Sequence, residues 1–209
     1  MKQVNRQENY SATGHQRISI DFMYVDLEVC DRCLGTDANL EAALSDVSHI
    51  LKASGAEVSL QKTLVESEAQ AQALGFFTSP TIRINGRDIA LELRESQCAS
   101  CESCSGNGAV DCRVWVFHGQ EYTAAPKAMI VDAILREVYG NAALSQPTLI
   151  EASELPENLR RFFAGKTKKA ETEASACCSS AEQTTCCEPS EKAECCGTAS
   201  NNQTCGCKQ

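Results

Sequence analysis

The sequence predicts an α/β domain that carries a cysteine-rich insertion and is followed by a cysteine-rich tail with no core of its own. Three observations predict it. Between residues 16 and 140, apolar runs of strand length alternate with stretches of helical spacing. From Glu171 to Gln209 there is no Leu, Ile, Val, Met, Phe, Trp or Tyr, so nothing there can offset the entropy of ordering the backbone. The 14 cysteines fall into three separate groups along the 209 residues. The expected organisation is a polar, disordered start (1–15) and one domain (16–145) with its insertion at 96–112. A linker with a short amphipathic helix (146–170) and a disordered tail (171–209) complete it.

RISIDFMYVDL (17–27) alternates and then runs apolar, as a buried strand does, and Cys30-Asp31-Arg32-Cys33 follows it. Leu40, Ala43, Leu44, Val47, Ile50 and Leu51 mark a helix that Gly55 stops. Gly35-Thr36-Asp37 reads as its start, with Thr36 or Asp37 as the cap. AEVSLQKTLV (56–65) is a second strand and SEAQAQALGFF (67–77) a second helix. Residues 79–89, SPTIRINGRDI, read as strand, Asn-Gly turn and strand. After the insertion come RVWVF (113–117), a turn at Gly119 and a closing helix over about 127–139, striped by Ile130, Val131, Ile134, Leu135 and Val138. In LPENLRRFFAGKTKK (155–169), Leu155, Leu159, Phe162 and Phe163 share a helical face, with Pro156 near the start and Gly165 as the stop. Docking of that helix on the domain is the plain expectation, and partner docking the alternative.

Strand, CxxC, helix, strand, helix, strand hairpin, helix: over residues 16 to 140 this order resembles the thioredoxin fold. CDRC (30–33) lies where that fold keeps its CxxC, and Ser79-Pro80-Thr81 where it places a cis-proline. FFTSPTIRINGRDI (76–89) with the cysteines after it is similar to a group of bacterial thioredoxin-like proteins with Cys-rich tails, associated with arsenic or mercury resistance. The resemblance implies a thioredoxin-like mixed sheet flanked by helices, with Cys30, Cys33 and Pro80 as catalytic candidates.

A CxxC pair can exchange with a substrate disulfide, provided one thiol is activated by a helix N-terminus or a nearby cation. Asp26, Glu28 and Asp31 surround Cys30 with negative charge against Arg32 alone, and a helix starting at Thr36 or Asp37 would deny Cys30 the helix dipole. The pair is therefore expected to be a weaker nucleophile than a thioredoxin's. A redox or soft-ion dithiol is the favoured reading. Half of an ordinary metal site, or simply buried thiols, are the alternatives.

Cys98, Cys101 and Cys104 form two overlapping CxxC spacings, and Cys112 follows a Gly106-Asn107-Gly108 turn. Four thiolates suit tetrahedral zinc, the favoured ion. An iron–sulfur cluster is the alternative, although the C-x3-C-P of bacterial ferredoxins is absent. A third reading is a reactive thiol patch cooperating with Cys30 and Cys33, and a fourth is four unligated thiols.

The tail pairs its cysteines at a period of nine: Cys177/Cys178, Cys186/Cys187 and Cys195/Cys196, with Cys205 and Cys207 after them. Adjacent cysteines close only a strained disulfide ring, so these thiols are expected to stay reduced and available. Closing such a nine-residue loop costs roughly 2 kcal/mol. Thiolate-rich zinc peptides gain about 10 to 16 kcal/mol on binding. Chelation wins, and soft thiolates select soft ions: Cu(I), zinc, As(III) or Hg(II).

His15, His49 and His118 have no ligand spacing to one another, and Trp115 with Phe76-Phe77 is most simply core. The polar N-terminus lacks a secretory signal and no run approaches the roughly 20 apolar residues of a membrane span, so a cytoplasmic protein is expected. A net charge of −9 speaks against nucleic acid as a partner. The expected function is binding and handling of soft metal or metalloid ions, the tail capturing and Cys30/Cys33 or a metal-transfer protein receiving. Thiol-disulfide oxidation–reduction by Cys30/Cys33, with a redox partner, is the first alternative. Storage or sensing without turnover is the second.

Overall fold

β1 (Gln16–Tyr24) is the centre of the fold in the computed structural model, which describes residues 16–98, 100, 110–140 and 154–175. The chain continues through α1 (Asp31–Ala53), β2 (Ala56–Leu64), α2 (Glu68–Leu74), β3 (Thr81–Ile84) and β4 (Arg87–Asp88). β5 (Arg94–Cys98), β6 (Val110–Phe117), β7 (Gln120–Tyr122), α3 (Lys127–Tyr139) and α4 (Glu157–Ser175) follow. The first four strands form a mixed sheet in the order β2-β1-β3-β4. β1 runs parallel to β2, from Gln16↔Ala56 to Tyr24↔Leu64, and antiparallel to β3, from Ile20↔Ile84 to Met23↔Thr81. The parallel pair needs a crossover, and α1 supplies it. β5, β6 and β7 make a second, antiparallel sheet.

Alternation along β1 gives the protein two cores. Ile18, Ile20 and Phe22 face α1 and α3, packing with Leu40, Ala43, Val47, Leu51, Ile130 and Ile134. Past Phe22 the strand buries its other side too, through Met23 and then Val25. These two join a second cluster with Val65, Phe76, Leu155, Leu159, Phe162, Phe163 and four cysteines. Trp115 and Phe76 are fully buried, as expected of core residues. The Asn-Gly turn is present: Asn85 (φ 50°) and Gly86 (φ 78°) both take the left-handed conformation that a two-residue hairpin requires.

Two expected helix ends are corrected. α1 begins at Asp31, not at Thr36 or Asp37, and its N-cap is Cys30. Gly35, Thr36 and Asp37 resemble a cap in sequence but are held by distant parts of the chain. A Cβ on Gly35 would come 3.0 Å from Cβ of Ala124. Thr36 Oγ1 accepts from the Ala125 amide at 3.2 Å, and Asp37 pairs with Lys62 at 2.6 Å. The last helix does not stop at Gly165 but runs to Ser175, past the expected linker boundary at residue 170. The Lys, Ala and Glu that follow Gly165 are strong helix formers, and one interior glycine costs only about 1 kcal/mol. Among the described residues, no helix is long and apolar enough to cross a membrane.

The N-terminal residues 1–15 with His15, Cys101, Cys104, most of the linker's first half and all eight tail cysteines (Cys177, Cys178, Cys186, Cys187, Cys195, Cys196, Cys205 and Cys207) lie outside the described residues.

Candidate thiol centre

The head of α1 carries the site. Leaving β1, the chain turns at Asp26, whose carboxylate accepts from the Glu28 and Val29 amides at 2.7 and 2.9 Å. Cys30 then caps α1: its sulfur accepts from the Cys33 amide at 3.4 Å, satisfying one of the N–H groups a helix start leaves open. The Cys33 sulfur lies 3.5 Å from Ser79 Oγ, beside the cis Ser79–Pro80 peptide. The Arg113 amide donates to Ser79 O at 2.8 Å, so β6 is tied to the same corner.

The β5–β6 register completes the arrangement. Cys98 pairs with Val110 and Ser96 with Cys112, so Cys98 and Cys112 are diagonal neighbours on one face of the ribbon. That face meets Cys30. The sulfurs of Cys30, Cys98 and Cys112 all lie within 4.8 Å of one another, and all three residues are buried. A tetrahedral zinc–thiolate site, with Zn–S near 2.3 Å, needs sulfurs about 3.8 Å apart. Shifts of about an ångström, within reach of small χ1 changes, close the set. The donor chemistry and spacing fit a metal ion.

Cys98 and Cys112 of the insertion and Cys30 of the CDRC motif therefore meet in one place. Ser100 adds to the seam: its hydroxyl lies 3.2 Å from the Cys98 sulfur and accepts from the Asp31 amide at 3.4 Å. Cys33, equally buried, lies at the edge of the three-sulfur group, and its thiol is held far above the ordinary range. The largest cause is its hydrogen bond to Cys30, followed by burial and the Cys30 charge, with Ser79 and the Val25 backbone pulling the other way. In this pair Cys33 keeps its proton.

Arg32 is the residue that reading the sequence undervalued. Only 9% exposed, it turns inward and bridges α1 to the β5–β6 ribbon. Its guanidinium donates to Cys112 O at 2.9 Å, Arg113 O at 3.2 Å, Ser96 Oγ at 3.0 Å and Gln97 O at 2.7 Å. Glu28 and Asp31 are exposed, where solvent and salt screen them. Counting charges along the CDRC segment thus misweights them, because burial, not proximity in sequence, decides which charge acts. The arginine within the motif was the available signal.

His49 and His118 are exposed, and neither belongs to the sulfur group. A cleft of about 480 Å³ opens elsewhere, beside β3, β4 and α3. It is lined by no cysteine, and its charged groups serve the fold. Arg113 grips Asp88 through two bonds of 2.6 and 2.7 Å, and Arg87 pairs with Glu137.

Over the thiols lies α4. Leu155, Leu159, Phe162 and Phe163 pack into the cluster that holds the four cysteines. Asn158 fastens the helix to the ribbon by donating to Glu95 Oε1 and Asp111 O at 3.0 and 3.2 Å.

Fold and site together define a mixed α/β protein with a buried cysteine cluster, able to hold a metal ion, at the head of its first helix. The chain belongs to the family described as a domain of unknown function (DUF2703), which matches residues 18–134. No curated protein and no solved structure matches it. The family match takes in all four of the described cysteines and ends before α4.

Proposed function

We propose that this protein binds a soft metal or metalloid ion through a buried trithiolate built from Cys30, Cys98 and Cys112, within a thioredoxin-like framework. One observation carries the reading: three sulfurs from distant parts of the chain converge within 4.8 Å in an apolar cluster. Thiolates select soft ions, the class that includes zinc, Cu(I), As(III) and Hg(II). Handling of such ions in resistance is the setting that the sequence resemblance implies. The strand order β2-β1-β3-β4 with β3 antiparallel to its neighbours supports the thioredoxin-like framework. So does the CxxC at a helix head, with Cys33 against Ser79 of the cis Ser79–Pro80 peptide.

The oxidoreductase reading is supported by the Cys30–Cys33 hydrogen bond and by Ser79 beside Cys33. Burial weighs against it. Cys30 and Cys33 are both 0% exposed, and a protein disulfide must reach an attacking sulfur in line. A small ion has no such requirement.

Titrating the reduced full chain with Cd(II), followed by sulfur-to-metal absorption, tests the proposal on the variants Cys30→Ser, Cys98→Ser and Cys112→Ser. Each single change is expected to remove the same tight site. The Cys30→Ser/Cys98→Ser pair should then add little beyond either alone, as residues of one unit do. Independent, additive losses from Cys30 and from Cys98 would mean two sites and sink the reading. Disulfide-reducing turnover that depends on Cys30 but not on Cys98 or Cys112 would favour the oxidoreductase.

A further inference from the structure

We propose that Arg32 sets the ion charge this centre accepts, tuning it to soft divalent ions over a trivalent metalloid; the inference rests on the trithiolate reading above. Arg32 is a cation at 9% exposure whose four hydrogen-bond partners are three carbonyls and a hydroxyl. Among the described residues it forms no ion pair with a carboxylate, whereas Arg87 and Arg113 each do. A buried charge without a counter-charge is costly. The thiolates are the counter-charge at hand.

Position makes the coupling direct. Arg32 stands between Cys30 and Cys33 in sequence. Its guanidinium holds the carbonyl oxygen of Cys112 itself and that of Gln97, the residue before Cys98. Covalent geometry then puts the Cys112 sulfur no more than about 8 Å from the nearest guanidinium nitrogen. The start of α1 adds a partial positive charge of roughly one half, aimed at its N-cap, Cys30.

Charge decides between ions of similar softness. Three thiolates with a trivalent metalloid such as As(III) make a neutral complex, with a divalent ion a complex of −1, and with a monovalent ion one of −2. An apolar pocket alone would favour the neutral complex, because a net charge there is poorly solvated. The fixed charge near +1 reverses that preference: it leaves the divalent complex close to neutral overall and the trivalent complex over-positive. At an effective dielectric near 20, a unit charge 8 Å away changes binding of a singly charged complex by roughly thirtyfold. Arg32 is thus a specificity-determining residue that touches no ion.

The test compares Cd(II) with arsenite on the reduced full chain, using the Kd ratio of the two ions and glutathione competition as the reference for unbiased thiolates. Wild type should favour Cd(II) at least about tenfold more than glutathione does. Arg32→Gln keeps two of the N–H donors but drops the charge, and should erase that bias by weakening Cd(II) at least about tenfold while changing arsenite far less. Arg32→Lys should restore it. Equal losses for both ions in Arg32→Gln would show that the residue only builds the site, and overturn the inference. If Arg32→Gln does not fold, the wild-type ratio decides, and a ratio equal to that of glutathione overturns it. A wild-type chain that binds neither ion at these cysteines overturns the trithiolate reading itself, a result distinct from binding without bias.

Discussion

Removing the ring of Phe162 should loosen the roof of the thiol cluster as well as the fold. Phe162 is 0% exposed and packs among Leu155, Leu159 and Phe163 against the cluster holding Cys30, Cys33, Cys98 and Cys112. Its neighbour Phe163 meets it edge to face, with ring centroids 5.4 Å apart. Phe162→Ala removes a fully buried ring where the surrounding helix, ribbon and sheet leave little room to collapse, so a cost of about 3 to 5 kcal/mol is expected. For a chain of this length that is a fall in melting temperature of roughly 10 °C or more. α4 packs on the cluster through its apolar face and is fastened by Asn158, so its detachment would open a way to the sulfurs. If detachment is what exposes them, a destabilisation near 3 kcal/mol raises the alkylation rate of the buried thiols about a hundredfold. The assay is alkylation with iodoacetamide, read by mass spectrometry at Cys30, Cys98 and Cys112, beside a thermal melt. Tyr139→Ala is the control: that side chain is 60% exposed, so neither readout should move. A Phe162→Ala protein that melts lower while its thiols react at the wild-type rate would refute the covering role of α4. An unchanged melt would refute the packing itself.

Three further outcomes are expected. In ion-free protein, Cys33 keeps its proton when folded but ionises from about 9.0 when unfolded, so stability is full below that pH and falls as pH rises above it. Urea midpoints measured from pH 7 to 10 should show this fall, and Cys33→Ala should flatten it; a parallel decline in the variant would assign the effect elsewhere. Asp88→Ala leaves the 2% exposed Arg113 guanidinium without its carboxylate and should cost about 3 to 5 kcal/mol in urea unfolding. Replacing the pair together, as Asp88→Leu with Arg113→Met, should recover most of that loss. Ending the chain after Ser175 removes the eight thiols of the tail and should lower soft-ion stoichiometry while shifting the melting temperature by less than about 2 °C. A large fall in the melt would show that the tail packs on the domain.

The sequence by itself determined the elements whose cause is local. The stripe of α3 gives a helix over 127–139, and the structure has Lys127–Tyr139. Asn85-Gly86 gives the hairpin turn, and Leu155, Leu159, Phe162 and Phe163 give an amphipathic helix with a face to bury. Periodicity and turn chemistry are short-range, so they can be read residue by residue. The two misread helix ends mark the limit of that reading. Gly35-Thr36-Asp37 has the composition of a cap, but its partners Ala124, Ala125 and Lys62 belong to other parts of the chain. Cysteine spacing favoured separate dithiol and insertion sites over a patch shared by the two, because local spacing is all that a sequence displays. Only the tertiary structure decided that they share a centre. The β5–β6 register puts Cys98 and Cys112 on one face, the crossover of α1 brings Cys30 to it, and the buried fork of Arg32 fastens the two together. Register and crossover are set by which apolar faces must be covered, a property of the whole chain that no single segment carries.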